Sequence, residues 1–271
     1  MHVRKLWIAA LGAAALAACS DEGRDVVGTT AEEPVMNVST ASSIVAWGTS
    51  GDRAVPADYD GDGSDEIAVF RPGEGYWYIS RNNVSYGQGG EWLVQLGQQG
   101  DIPVPGDYDG NGRDEVAVFR PSNGTWIIAD STTFGGRRVV SWGQQGDVPI
   151  PGDYDGDGAD EIAIFRPSEG YFYISRYNLS YGQGGAWLVQ WGQQGDIPVA
   201  ADYDGDGADE IAVFRPSEGY FYISPDNLSS GQGAAWLVQW GQQGDIPVPA
   251  NYDGDAADEI ATFRPSEGYW Y

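Results

Sequence analysis

The sequence predicts an all-β fold, namely a β-propeller made of four-stranded antiparallel blades. An acidic segment of the type DYDGDGADE occurs five times and begins at positions 58, 107, 153, 202 and 251. The stretches between these copies are rich in aromatic residues, β-branched residues and glycine turns, which favour short strands over helices. A repeat of this length that is filled with short strands is typical of a propeller blade.

One unit, residues 147–192, illustrates the four strands. Its extended start DVPIPGDY is followed by the apolar run EIAIFRP, the aromatic run YFYISR and the final run AWLVQWG. Pro149 and Pro151 remove donors from one edge of the first strand, which is tolerated where that edge has no partner. The runs YWY and YFY are apolar on both faces, so we expect them in the core between blades rather than on a sugar-binding surface.

The two ends of the repeat region predict how the ring closes. Residues 43–48, SIVAWG, match the fourth strand of a unit, and residues 268–271, GYWY, match the third. Pairing these two segments would give five complete blades without an open edge. The alternative is that the units form part of a larger ring.

The acidic segment has the composition of a calcium-binding loop. In the fourth unit, Asp202, Asp204 and Asp206 stand at positions 1, 3 and 5, the carbonyl of Ala208 at position 7 and Glu210 at position 9. Carboxylates this close together repel one another, and a hard dication that accepts six to eight oxygens removes that cost. The sequence therefore predicts structural calcium in each loop. A catalytic metal and a metal-free turn are the alternatives.

The equivalent positions of the five units give the complete set of candidate ligands. They are Asp58, Asp60, Asp62, Ser64 and Glu66; Asp107, Asp109, Asn111, Arg113 and Glu115; Asp153, Asp155, Asp157, Ala159 and Glu161; Asp202, Asp204, Asp206, Ala208 and Glu210; and Asn251, Asp253, Asp255, Ala257 and Glu259. We expect up to five sites. The fifth should be the weakest, because Asn251 replaces an aspartate and Ala256 replaces the glycine that bends the loop.

The segment DYDGDGADEIAVFRP resembles the FG-GAP or VCBS repeats of integrin-type β-propellers, and the resemblance covers residues 44–271. It implies that the calcium loop joins the first and second strands of a blade. It also implies a role in adhesion or lectin-like recognition. The sequence departs from the family in having glutamate at position 9, where aspartate is more frequent, and in having fewer blades than its best-known members.

The first residues predict export and a lipid anchor. A basic start, MHVRK, precedes an apolar stretch that ends in LAAC, residues 16–19, which resembles the lipobox of bacterial lipoproteins. This resemblance implies a signal peptide over residues 1–18 and a lipid on Cys19. With Ser20 next to the cysteine, it implies the outer membrane or the cell surface in a Gram-negative cell. Residues 19–43 are expected to be a flexible tether. The alternative is an ordinary secretory signal with an unpaired cysteine.

Two further segments have predicted roles. The arginine of each FRP motif, which is Arg71, Arg120, Arg166, Arg215 or Arg264, should pair with an acidic loop or a neighbouring carbonyl. The SYGQGG segments at residues 85–90 and 180–185 lie where the units vary most. They are therefore the candidate recognition loops.

Charge and composition limit the possible functions. The formal net charge of −26 argues against nucleic acid as a partner. His2 and Lys5 would leave with the signal peptide, so the remainder has no general base or nucleophile of the usual kinds other than carboxylate, serine or tyrosine. We expect a non-catalytic recognition or adhesion module for carbohydrate or protein, held at the membrane by its lipid anchor alone. The alternatives are a structural subunit of an envelope assembly and a calcium-dependent enzyme that degrades polysaccharides.

Overall fold

The computed structural model describes residues 44–83, 90–178, 180–225 and 235–271. Residues Ile44–Tyr271 form one compact unit. The predicted signal peptide, lipidated Cys19 and tether lie outside the described residues, and so does most of the first SYGQGG segment. In the described ranges, no helix has the length and apolar character needed to cross a membrane.

The described residues form short antiparallel strands in five groups. Blade 1 contains β1 (Arg53–Ala54), β2 (Ala68–Arg71), β3 (Tyr76–Ser80) and β4 (Glu91–Gln95). Blade 2 contains β5 (Ile102–Pro103), β6 (Ala117–Arg120), β7 (Thr125–Ala129) and β8 (Arg137–Ser141). Blade 3 contains β9 (Val148–Pro149), β10 (Ala163–Arg166), β11 (Tyr171–Ser175) and β12 (Ala186–Gln190). Blade 4 contains β13 (Ile197–Pro198), β14 (Ala212–Arg215), β15 (Tyr220–Ile223) and β16 (Trp236–Gln239). Blade 5 contains β17 (Ile246–Pro247), β18 (Thr262–Arg264) and β19 (Tyr269–Trp270).

Each blade is a meander in which every strand pairs with the next one along the chain. Blades 1 to 4 have four strands and blade 5 has three. The strand β9 lies at the edge of its sheet and pairs only with β10, so Pro149 stands where the sequence predicted a strand edge without a partner. The prediction of an all-β propeller with five blades is confirmed.

The hydrophobic core lies between consecutive blades. Phe70 and Trp77 of blade 1 are fully buried and share one cluster with Val116 and Val118 of blade 2. Blades 2, 3 and 4 form the same kind of cluster with the blade that follows. The central aromatic residue of YWY in blade 1 and of YFY in blades 3 and 4 is therefore a core residue, as the sequence predicted.

The predicted pairing of residues 43–48 with the last blade is wrong for the part that is described. Residues 44–49 form no strand, and the sheet of blade 5 ends at β19. Trp270 of β19 consequently remains 61% exposed, whereas Trp77 at the same position of blade 1 is fully buried.

Residues 44–48 contact blade 1 instead. The indole Nε1–H of Trp47 donates to the carbonyl of Tyr78 at 2.9 Å. In the same way, Trp142 donates to the carbonyl of Tyr173 in the following blade, also at 2.9 Å. The segment thus occupies the position on blade 1 that the end of a fourth strand occupies on the next blade. β8, which precedes Trp142, also pairs with β7 of its own blade, whereas residues 44–48 form no strand that could pair with β19.

Candidate metal centres

The acidic segments form five loops between the first and second strands of the blades. We number them loop 1 (58–66), loop 2 (107–115), loop 3 (153–161), loop 4 (202–210) and loop 5 (251–259). Each loop is closed at its base by a bridge between the residue before it and its last glutamate, as in the pair Ala57 and Glu66. The prediction that the loops join the first two strands of a blade is confirmed.

Each loop brings three acidic side chains together, with one oxygen of each lying within 4.8 Å of the others. The groups are Asp58, Asp60 and Asp62; Asp107, Asp109 and Glu115; Asp153, Asp155 and Glu161; Asp202, Asp204 and Asp206; and Asp253, Asp255 and Glu259. Every member was predicted as a ligand from the sequence. Three carboxylates at this separation are a donor set suited to a hard divalent cation.

Several predicted ligands lie in the loops but outside these groups. Glu66 and Glu210 are not among the three closest carboxylates of loops 1 and 4. In loop 2 the amide of Asn111 donates from Nδ2 to the hydroxyl of Ser131 at 2.9 Å. Arg113, Ala159, Ala208 and Ala257 could contribute only a main-chain carbonyl, whereas Ser64 also has a hydroxyl, and the structure places all five in the second half of their loops.

The first aspartate of a loop shapes the turn. Asp153 accepts hydrogen bonds from the backbone N–H groups of Gly156, Asp157 and Gly158 at 2.7, 3.1 and 2.8 Å. A short carboxylate that accepts several backbone N–H groups favours this tight turn over helix or strand. In loop 5 the equivalent Asn251 accepts only from Gly254 and donates to the carbonyl of Asp255.

The glutamate at position 9 is a buried acid. Glu66, Glu115, Glu161 and Glu210 are between 1% and 4% exposed. In each of these four, Oε2 accepts the backbone N–H of the tyrosine at position 2 at 2.9 to 3.0 Å. Burial, with repulsion from nearby aspartates, raises the pKa of Glu66 and Glu115 to about 7 and that of Glu161 and Glu210 to about 8.

Two buried carboxylate oxygens indicate that a cation fits these loops. Within the described ranges, Oε1 of Glu115 and Oδ1 of Asp60 are buried and have no hydrogen-bond partner. A buried polar atom without a partner is destabilising unless a ligand, water or ion satisfies it. The residues that would hold a calcium ion are the three carboxylates of each group. Bound calcium would supply the positive charge that the clustered carboxylates lack.

The aspartate at position 8 has a role that the sequence interpretation missed, because it links each loop to the preceding one. The backbone N–H groups of Asp114, Asp160, Asp209 and Asp258 donate to the carbonyl of the first residue of the preceding loop at 2.9, 2.8, 2.7 and 2.7 Å. The carboxylate of Asp114 also accepts from the N–H of Asp58 at 2.8 Å. The signal that could have found this link is the aspartate before the final glutamate in every copy.

Burial and mutual repulsion act on these linking aspartates as well. Burial raises the pKa of Asp114 to about 6 and that of Asp160 and Asp209 to about 7. The carboxylate of Asp114 adds to the shift at Asp160, and that of Asp160 adds to the shift at Asp209. The linking aspartates of neighbouring loops therefore interact electrostatically from one loop to the next.

The FRP arginines are structural, as expected, but their partner is different. Each forms a bidentate ion pair with an aspartate that precedes the first strand of its blade, not with an acidic loop. The nitrogen–oxygen distances are 2.9 Å for Arg71 with Asp52, and 2.8 Å for Arg120 with Asp101, Arg166 with Asp147, Arg215 with Asp196 and Arg264 with Asp245. The constant spacing of 19 residues between the two partners was the available signal.

In the comparison with known proteins, a family model matches part of the chain. The family model of the FG-GAP-like repeat matches residues 58–118 and 153–213. No curated protein matches the chain.

Two solved structures are similar to the chain. One is a lectin of Agrocybe aegerita, described as recognising non-reducing terminal N-acetylglucosamine; it is 18% identical, with 83% of this chain and 66% of the lectin covered and a TM-score of 0.55. The other is the biofilm matrix protein Bap1 of V. cholerae; it is 21% identical, with 80% of this chain and 37% of Bap1 covered and a TM-score of 0.34. The chain spans less than two thirds of the length of either solved chain.

At such low identity the lectin shows a shared fold and nothing more. The two ranges matched by the family model contain loops 1 and 2 and loops 3 and 4, with the strands that lie between the loops of each pair. Together with the five antiparallel blades, they show that the chain carries FG-GAP-like repeats in a β-propeller.

Proposed function

We propose that the chain is a calcium-stabilised, non-catalytic recognition module of the bacterial cell envelope, and that it binds carbohydrate. The observation that carries the calcium part is the buried Oε1 of Glu115, which has no hydrogen-bond partner and lies in a group of three acidic side chains. Calcium here is a structural ion that neutralises the loops and so holds the blades in place.

The recognition part is supported by a cavity at the junction of blades 2 and 3. Its volume is about 370 Å³, and its lining includes Ser141, Gln144, Arg166 and Tyr181. Tyr181 belongs to the second SYGQGG segment, is 61% exposed and lies 5.2 Å from the ring of Trp142. An aromatic ring beside amide, hydroxyl and guanidinium groups offers both an apolar face and hydrogen bonds to a sugar.

The loop that carries Tyr181 is fixed by the neighbouring blade. The backbone N–H of Tyr181 donates to the carbonyl of Ser141 at 2.9 Å. A binding group held on a rigid strand edge loses little freedom on binding, which favours affinity. The similarity to a lectin concerns the fold, and it supports the proposal only as an analogy between folds.

A glycan array tests the proposal, with the purified chain applied in calcium and in EDTA. We expect calcium-dependent binding that Tyr181→Ala reduces at least about tenfold, because the aromatic face is lost. Tyr177→Ala is the matched control, since Tyr177 is 65% exposed in the same region and does not line the cavity. Absence of glycan binding in calcium would refute the carbohydrate function, and pull-down of an envelope protein would then favour a structural subunit.

The location rests on the lipobox-like segment that ends at Cys19. We expect Cys19→Ala to move the protein from the membrane fraction to the soluble fraction after cell disruption. A variant that stays with the membranes would contradict a lipid anchor on Cys19.

A further inference from the structure

Loop 2 differs in charge from the other acidic loops. It contains four acidic residues and Arg113, which gives a formal charge of −3, whereas loops 1, 3 and 4 each contain five acidic residues and no basic one. Asn111 accounts for the missing carboxylate. Since calcium affinity in such loops depends on the number of charged ligands, loop 2 starts with a weaker attraction for a dication.

A second arginine approaches loop 2 from strand β8. Arg138 stands opposite Ile128 of β7, and its Nη2 donates to the carbonyl of Tyr108 in loop 2 at 3.5 Å. It lines a cavity of about 290 Å³ together with Asp109 and Glu115, which are two members of the acidic group.

The other four-stranded blades have tryptophan where blade 2 has Arg138. The residues opposite the equivalent isoleucine are Trp92, Trp187 and Trp236. In blade 3, Arg176 lies 5.0 Å from the ring of Trp187.

Taken together, these contacts lead us to propose that loop 2 is a calcium site weakened by Arg138 and by the missing carboxylate at Asn111, and that it fills only after loops 1, 3 and 4. This inference rests on the proposed calcium function and deepens it. Calcium binding would then occur in two steps. While loop 2 is still empty, Arg138 would supply part of the positive charge that calcium supplies in loops 1, 3 and 4.

The expected size of the effect follows from Coulomb's law. A dication roughly 6 Å from one guanidinium loses on the order of tenfold in affinity even at the dielectric constant of water. Arg138 is largely exposed, so screening by salt should reduce this factor. The two affinity classes should therefore differ most at low ionic strength.

Calorimetric titration of the full chain with calcium, checked by native mass spectrometry, tests the inference. We expect three tight sites in the wild type. Arg138→Trp, which installs the residue of the other blades, should give a fourth tight site. Trp187→Arg is the reciprocal change and should weaken loop 3 by a similar factor. Arg176→Gln is the control for a lost positive charge outside a metal loop and should leave the number of tight sites unchanged.

Asn111→Asp is a second route to the same result, because it adds a carboxylate to an exposed position without altering the core. The variant Asp109→Asn should leave the number of tight sites unchanged. Loss of a tight site in this variant would overturn the inference. So would unchanged affinity classes in both Arg138→Trp and Asn111→Asp while the other loops bind calcium. A chain that binds no calcium at any loop would overturn the proposed calcium function along with this inference.

Discussion

Five aspartate–arginine pairs show how single residues stabilise the blades. The aspartate of each pair is 4% exposed or less at its side chain, and its arginine is 15% to 24% exposed. The same aspartate also accepts a backbone N–H three residues before it, as Asp196 does from Gln193 at 3.0 Å. Each pair thus closes the turn that leads into a blade and fixes the end of its second strand.

Removing one member of such a pair should be costly. We expect Asp196→Ala to lower the free energy of unfolding by about 3 to 5 kcal/mol, because Arg215 would be left partly buried without its counter-charge. Chemical denaturation followed by tryptophan fluorescence measures this. Glu218→Ala is the control, since Glu218 is 46% exposed and lies 3.6 Å from Arg215, and it should cost less than about 1 kcal/mol. Equal losses in the two variants would contradict a dominant role for the buried pair.

At the level of strands, a glycine in the turn between the second and third strands permits close contact with the fourth. Gly170 has a φ of +71°, and a Cβ at that position would lie 2.4 Å from the carbonyl oxygen of Gly192. Gly268 is its counterpart in blade 5 and has a φ of +73°, but a Cβ there would meet nothing within 4 Å. The difference arises because blade 5 has no fourth strand among the described residues.

This pair of glycines allows a matched test of the fourth strand. Gly268→Ala should cost roughly 1 to 2 kcal/mol, the penalty for a side chain at positive φ. Gly170→Ala should cost at least about twice as much, because its Cβ also collides with backbone that cannot move aside. Thermal unfolding of both variants measures the difference. If the two variants lose equal stability, the turn of blade 5 is covered in solution.

Across the whole molecule, the linked acidic loops make the stability of the fold depend on pH. The folded-state pKa values of Asp160 and Asp209, about 7, and of Glu161 and Glu210, about 8, lie above the ordinary values of 3.8 and 4.5. At pH values between the ordinary and the folded-state pKa values, the folded state binds more protons than the unfolded state. Its free energy of unfolding therefore falls as pH rises.

We expect the melting temperature of the calcium-free protein, measured in EGTA, to be highest near pH 4 to 5. It should fall by on the order of 5 °C as the pH rises to about 8. Calcium should remove the decline, because it binds the deprotonated carboxylates of the folded loops and stabilises that state by mass action. Differential scanning calorimetry in EGTA and in calcium measures both curves. If the free energy of unfolding in EGTA rose from pH 5 to pH 8, the raised pKa values of the buried loop carboxylates would be contradicted.

The sequence by itself determined the repeat, its four strands and the loop that carries the acidic groups. Strand alternation, turn glycines and the DYDGDG pattern are local properties, and local chemistry decides which backbone shapes they favour. For the same reason, the three close carboxylates of each loop could be predicted from positions along one short turn.

The tertiary structure alone decided what lies between repeats. The link from Asp114 to Asp58 and the packing of Trp47 on blade 1 depend on how one blade is placed against another, as does the approach of Arg138 to loop 2. The position of residues 44–48, which the sequence had predicted at the last blade, was decided in the same way. A repeated sequence specifies each unit equally well, but the contacts between units come from side chains that meet only when the blades pack.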